Sequence, residues 1–237
     1  TLFLLASTYD QDMHANPNNP SATNGTDQAW GGNRARPDLV KKFFPNGNVP
    51  NLESYATAKA AGDDRALFNG VNRSLDNDDV ATFKSGFGVA KFTNFKTDGS
   101  AGKDATFPDA DFFLMRAAEA YLNFAEADAR INGGETTAEG TAAINAIRKR
   151  ANASTRPEDK SYSLNDICDE WSREFYFEGR RRMDLIRFNR YGGNVNYNWQ
   201  WKGGTKEGRN FSKDLNIFAI PTNELTSNKN LIQNPGY

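Results

Sequence analysis

Apolar positions are sparse and unpatterned over residues 7–60, where turn formers dominate, most densely in Asn16-Pro17-Asn18-Asn19-Pro20 and Asn24-Gly25. This predicts a long loop region, and a loop too long to be an idle connection carries function or is disordered. Within it, residues 38–44 form a short amphipathic piece that Pro45 stops; further on, residues 83–95 alternate as a short strand or extended pair does. From Asp111 the pattern turns helical. Leu114, Ala118, Tyr121, Leu122, Ala125 and Ala129 share one face, and Arg116, Glu119, Asn123, Glu126 and Arg130 the other, until Asn132-Gly133-Gly134 ends the run. Thr136-Thr137-Ala138-Glu139 matches a capping box opening a second helix, whose apolar face of Ile144, Ile147 and Ala151 extends to about Ala151. The short link makes an antiparallel helix hairpin, and alanines at 117, 118, 120, 125, 127 and 129 permit close approach.

A third helix is predicted from Ser163, with Asp166 three residues on to complete its cap; it carries Leu164, Ile167, Trp171 and Phe175 inward and runs through Glu178. Gly179 precedes the basic run 180–188, which continues as helix or turns sharply there. Gly192-Gly193, Gly203-Gly204 and Gly208 among Tyr197, Trp199 and Trp201 read as a glycine-and-aromatic loop. An apolar strand-like run at 217–220 is halted by Pro221, and a brief helix follows near Asn223-Glu224-Leu225. The chain thus reads as mainly α, with a loop-rich region at 1–110 and a helical region at 111–237.

Composition narrows the function classes. With 29 basic and 30 acidic side chains, a net charge of -1 provides no field to draw the chain to nucleic acid or an anionic membrane. A single cysteine, Cys168, excludes an intrachain disulfide, a cysteine zinc site and a two-thiol redox pair. No apolar run approaches the roughly 20 residues that span a bilayer. The opening Thr1-Leu2-Phe3-Leu4-Leu5-Ala6 lacks a basic flank, so an export or lipidation signal is expected outside these residues.

Glu170, Glu174 and Glu178 recur every four residues, which on a helix stacks three carboxylates on one face, with Asp184 within reach. A glycosidase needs two such groups across a cleft, roughly 5–9 Å apart. The arginines at 173, 180, 181, 182 and 187 instead supply matching guanidinium partners, so the prediction is a structural ion-pair network of Glu174, Glu178, Arg182, Asp184 and Arg187. His14 is the only histidine and no nucleophile elbow accompanies it, so no catalytic residue is assigned. Asp10-Gln11-Asp12-Met13-His14-Ala15-Asn16 begins as a calcium loop does but lacks its glycine and closing glutamate, and Asp76, Asp78 and Asp79 form a second oxygen-rich patch. A polar turn explains both, and no metal ligand is assigned. Trp171 sits at core spacing, whereas Trp199 and Trp201 face one side if extended, as a sugar platform or the lid of a core.

Three blocks in order then resemble the C-terminal region of the SusD/RagB family: Phe113 to Leu122 with Ala125-Glu126-Ala127; Arg173 to Phe188 around Glu178-Gly179-Arg180-Arg181; and Ile220-Pro221-Thr222-Asn223-Glu224-Leu225 through Gln233-Asn234-Pro235-Gly236-Tyr237. Trp30-Gly31-Gly32-Asn33-Arg34-Ala35-Arg36-Pro37-Asp38-Leu39-Val40 and Asp63-Asp64-Arg65 resemble it less sharply. The resemblance implies a SusD-like helical scaffold built on a tetratricopeptide-like hairpin, with long irregular loops and minor short strands. It further implies a non-enzymatic, surface-exposed outer-membrane lipoprotein, its anchor outside this sequence, that captures oligosaccharide and delivers it to a TonB-dependent SusC-like transporter. A RagB-like peptide binder is the alternative within that fold; a glycosidase and a helix-hairpin interaction module are the others. Sugars offer C–H faces to aromatic rings and hydroxyl edges to amide, carboxylate or guanidinium groups, so the ligand site is expected at Trp30, with Tyr9, Asp12, Asn33 and Arg34 as neighbours.

Overall fold

A computed structural model describes residues 25, 33–105, 111, 113–193 and 196–237. The chain divides into two compact units, Thr1–Glu178 and Gly179–Tyr237.

In the first unit, α1 (Pro37–Lys41) opens with proline at its first turn, where the missing N–H costs nothing. It is shorter than its sequence pattern because Phe43 and Phe44 leave it through successive turns to enter a core. After α2 (Ser54–Ala61), strands β1 (Phe68–Asn69) and β2 (Gly88–Val89) pair antiparallel, Phe68 opposite Val89. Both strands are buried. Around them cluster Ala35, Val40, Phe43, Phe44, Ala66, Phe87 and Tyr176, with the Phe43 and Phe68 rings edge to face at 5.5 Å. Such a ring pair contributes about 0.5–1.5 kcal/mol beyond its buried area.

The predicted hairpin is α3 (Ala117–Ile131) and α4 (Ala138–Arg150), packed with α5 (Leu164–Phe175). Leu122, Ala125, Ala129, Ile144, Ile147, Ile167 and Trp171 form its interior. The predicted inner face of α3 needs correction at both ends of the polarity scale. Leu114 lies outside the helix, 86% exposed, and Tyr121 is 47% exposed, whereas Glu126 is buried. The cause is Trp171, whose indole N–H needs an acceptor in the core and finds Glu126 Oε2 at 3.0 Å. Tyr121 and Phe124 instead line an outer groove of about 460 Å³ with Ala120, Glu139, Ala142 and Ala143.

The two predicted caps part company. Ser163 and Asp166 form the full reciprocal box on α5. Thr137 takes the N-cap position of α4, but its hydroxyl reaches Asp128 Oδ1 and Glu139 Oε2, both at 2.9 Å, while Asp128 Oδ2 accepts from its N–H. Asp128, one helix back, outcompetes the local box and locks the hairpin turn. Helix α5 also stops at Phe175 instead of continuing through Glu178, because Tyr176 turns extended into the aromatic core and Phe177 adopts φ +60.

In the second unit, α6 (Arg181–Arg187), two short 3-10 turns at Lys202–Gly204 and Lys213–Asn216, and α7 (Thr222–Ser227) are joined by loops. Residues 217–220 form no strand. Gln233 supplies what a neighbouring strand would, accepting from the Ile220 N–H and donating to its carbonyl, each at 2.9 Å. Trp201 has φ +67 and opens a 3-10 turn, so it does not continue an extended run with Trp199. Trp199 stacks on Tyr191 at 6.3 Å and, like Phe211, lies beside the buried amine of Lys202, which donates to the Tyr197 carbonyl at 2.7 Å. This packs Trp199 into the small core of the unit.

Candidate functional site

Two constellations of charge dominate the described residues of the first unit, one exposed in a loop and one buried behind α5. The loop follows from the segment at 33–35. Ala35 bridges Phe87, its N–H donating to the Phe87 carbonyl at 2.8 Å. That pairing aims the preceding guanidinium across the chain: Arg34 donates through NH1 to the carbonyls of Thr82 and Ser85 and through NH2 to that of Val80. Arg73 adds a 2.6 Å bond to the Phe83 carbonyl. Inside the loop, the Asp79 carboxylate accepts from the Ala81 N–H and the Thr82 hydroxyl, which hold its pKa below the ordinary carboxylate value. Gly86 closes it at φ +105, where a Cβ would fall 2.0 Å from the Asn77 amide nitrogen. Asn33 is exposed at the edge of this arrangement. Arg34 is therefore a fastener of the 76–85 loop.

The carboxylates of α5 are fully engaged. Glu170, 1% exposed, accepts from Arg65 at 2.8 Å, Arg148 at 2.6 Å and Arg173 at 2.8 Å. Burial alone would raise its pKa, but the three guanidinium groups outweigh burial and bring it down to about 2. Glu174 accepts from Arg65, Arg116 and Arg150. Its pKa too is lowered against burial, Arg116 being the strongest opposing group. Glu178, just past the helix, meets Arg116 at 2.7 Å and Lys91 at 2.5 Å. Lys91 also donates to the carbonyls of Glu174 and Tyr176, and burial pushes its amine down to about 8 despite Glu178. A general acid must hold a proton near neutral pH and a nucleophile must face open space. Glu170 and Glu174 do neither.

Of the predicted ion-pair set, Glu174 and Glu178 thus meet on Arg116. In the second unit Asp184 pairs with Arg187 at 2.9 Å and with Arg180 at 3.5 Å, its pKa raised by burial. Arg182 donates to the Leu215 and Asn216 carbonyls and lies over the Phe218 ring. Sequence reasoning missed Arg65, Lys91, Arg116, Arg148 and Arg150, whose glutamate partners lie 22 or more positions away in the chain, and Asp63, which holds Arg65 from two positions before it. Tyr9, Asp12, His14, Trp30 and the residues at 10–16 lie outside the described residues. Among the described residues no three carboxylate, histidine or cysteine side chains gather to hold a metal ion, and no helix is long and apolar enough to cross a membrane.

Comparison with known proteins gives a consistent picture. The sequence profile of the SusD family matches residues 55–237. The starch-binding protein SusD of Bacteroides thetaiotaomicron is 37% identical over 244 residues, covering 90% of this chain and 43% of that protein. The chain therefore spans less than half the length of that relative. Among solved structures, a SusD-like protein of Bacteroides fragilis superposes with a TM-score of 0.57 at 21% identity, over 89% of this chain and 48% of its own. A laminarin-binding SusD-like protein gives 0.51 at 23% identity, over 90% and 40%. At these identities the structures show the fold, which is the mainly helical one that the sequence predicts.

Proposed function

The chain belongs to the SusD family, and from that premise we propose that it is a glycan-capturing, non-catalytic component of an outer-membrane uptake complex. It holds oligosaccharide at the cell surface and passes it to a TonB-dependent SusC-like transporter, the protein being tethered by a lipid anchor. The observation that carries binding over turnover is the state of the α5 carboxylates. They are the glycosidase candidates of the sequence, and each is buried against two or more cations. The 37% identity to a protein named as starch-binding supports a saccharide ligand.

The ligand site we assign is Trp30 as the stacking face, with Tyr9, Asp12 and Asn33 offering polar or aromatic edges. Arg34 belongs to it as the residue that fixes the neighbouring loop. Affinity electrophoresis in gels containing soluble starch or laminarin tests this. The parent should be retarded and Trp30→Ala should not, with unchanged thermal stability, while incubation releases no new reducing ends. Equal retardation of Trp30→Ala refutes the site, and new reducing ends refute the non-catalytic reading.

A further inference from the structure

We propose that the cleft between Gly193 and residues 210–213 in the second unit binds an acidic saccharide, one that carries a carboxylate or a sulfate ester. The saccharide part of this ligand rests on the reading above; the demand for an anion comes from the cleft itself.

The cleft, of about 430 Å³, is lined by Gly193, Asn210, Phe211, Ser212 and Lys213. Its walls are tied together. The Gly193 N–H donates to the Phe211 carbonyl at 2.8 Å and the Gly192 N–H to Asn216 Oδ1 at 3.1 Å. The strands of chain run so close at Gly192 that a Cβ there would fall 2.6 Å from the Ser212 carbonyl oxygen. Lys202, 1% exposed, donates from its amine to Asn210 Oδ1 at 3.3 Å as well as to the Arg190 and Tyr197 carbonyls. An ammonium group only donates, so it holds the oxygen half of the Asn210 amide and turns the NH2 half away from itself. That NH2 half finds no acceptor among the described residues. Lys213, on the same cleft, is exposed, and its amine pairs with no carboxylate among the described residues. The neighbouring Asp214 is engaged by Ser212 instead, its carboxylate accepting from the Ser212 hydroxyl at 2.7 Å and its N–H donating to that hydroxyl oxygen at 3.1 Å.

An amine and an amide NH2 on a frame fixed in advance ask for a ligand rich in acceptor oxygens and negatively charged, which a carboxylate or a sulfate ester is. The half-buried Phe211 ring, held edge to face against Tyr191 at 5.1 Å, supplies beside them the flat apolar surface on which the C–H face of a sugar stacks. Net charge points the same way. Beyond Glu178 the chain has ten basic and four acidic side chains, although the whole chain carries only -1.

The test compares parent, Lys213→Gln, Asn210→Asp and Lys229→Gln in gels containing polygalacturonate, dextran sulfate or neutral soluble starch, each mobility taken relative to a ligand-free gel and thermal stability measured alongside. The parent should be retarded by at least one polyanion, polygalacturonate alone identifying a carboxylate ligand and dextran sulfate alone a sulfate ester. Lys213→Gln should weaken that binding about tenfold, as loss of a charged hydrogen bond does. Asn210→Asp keeps an acceptor for Lys202 but replaces the free NH2 with a negative charge, and should weaken it at least as much. Lys229→Gln, which removes an exposed cation of the same unit that does not line the cleft, should bind as the parent does. All four should behave alike in starch. Should Asn210→Asp fail to fold, Lys213→Gln, at an exposed position, decides. No retardation by either polyanion, or equal losses for Lys213→Gln and Lys229→Gln, overturns this inference; retardation by starch in the same gels leaves the glycan-capturing reading standing. Polyanion binding that depends on Lys213, in a protein that neither starch nor laminarin retards, keeps the cleft and removes the Trp30 site.

Discussion

Glu170→Gln isolates the buried charge network in one isosteric change. The amide keeps the shape of the carboxylate but loses its charge, and its NH2 half confronts guanidinium groups that also only donate. Arg148 and Arg173, with side chains each 15% exposed, lose the carboxylate they share, while Arg65 keeps Asp63 and Glu174. Two routes give the magnitude. The fall of the Glu170 pKa from its ordinary 4.5 to about 2 corresponds to about 3 kcal/mol of folded-state stabilisation. Stranding one side of a buried ion pair costs about 3–5 kcal/mol. For a chain of this size that lowers the Tm by roughly 6–20 °C, at about 2–4 °C per kcal/mol.

The pH dependence supplies an independent check. A carboxyl whose folded pKa is depressed contributes stability that is fully present above its unfolded value of 4.5 and is lost as pH falls through about 2. Urea denaturation followed by far-UV circular dichroism should therefore show a large gap between parent and Glu170→Gln at pH 7. The gap should narrow steadily below about pH 4.5. A variant within about 1 kcal/mol of the parent at pH 7, or a gap that does not change with pH, refutes the reasoning.

Lys91 carries a linkage of the same sign in a higher pH window: its folded pKa of about 8 lies below the ordinary 10.5, so the unfolded chain binds the extra proton between those values. Parent stability relative to Lys91→Met should rise as pH goes from 7 to 10, which paired urea titrations measure; a parent that loses ground over that range contradicts the placement. Trp171→Phe removes the indole donor to Glu126 and leaves a small void in a fully buried position. It should cost about 2–4 kcal/mol in denaturant midpoint at unchanged slope, and a near-neutral result would show that Glu126, which also meets Arg130, is satisfied without the indole.

What the sequence makes legible is local. The Ser163 and Asp166 cap of α5 forms as read because its partners are three residues apart and nothing else reaches them. Periodicity likewise finds the α3 and α4 hairpin and the inward set Ile167, Trp171 and Phe175. What fails is settled at long range. Arg116 looks like a solvated helix residue, yet it sits extended before α3 with its guanidinium on Glu174 and Glu178 and over the Phe175 ring at 4.1 Å. Arg65 reaches Glu170 across 105 positions of sequence. Neither partnership leaves a trace in spacing. Arg34, expected as a sugar contact because guanidinium suits hydroxyls, also holds three carbonyls that only the fold brings to it.

The three glutamates at i, i+4 and i+8 show how a pattern that suggests catalysis is turned to structure. Glu170 and Glu174 stay on the helix, but the chain leaves it at Tyr176, so Glu178 returns to the same cluster by a turn. That turn frees the carbonyls of Glu174 and Tyr176 for Lys91. It also places the Tyr176 ring 5.4 Å from Phe68 and its hydroxyl 2.6 Å from the Arg65 carbonyl. The helical layer and the β1–β2 core are thereby joined through one charged seam within the first unit. A seam with its carboxylates and cations matched inward has little chemistry to offer a ligand, and opening it would strand charges at about 3–5 kcal/mol each. The reading proposed above therefore looks for recognition away from this seam, toward the exposed edge at Asn33 beside the loop that Arg34 clamps.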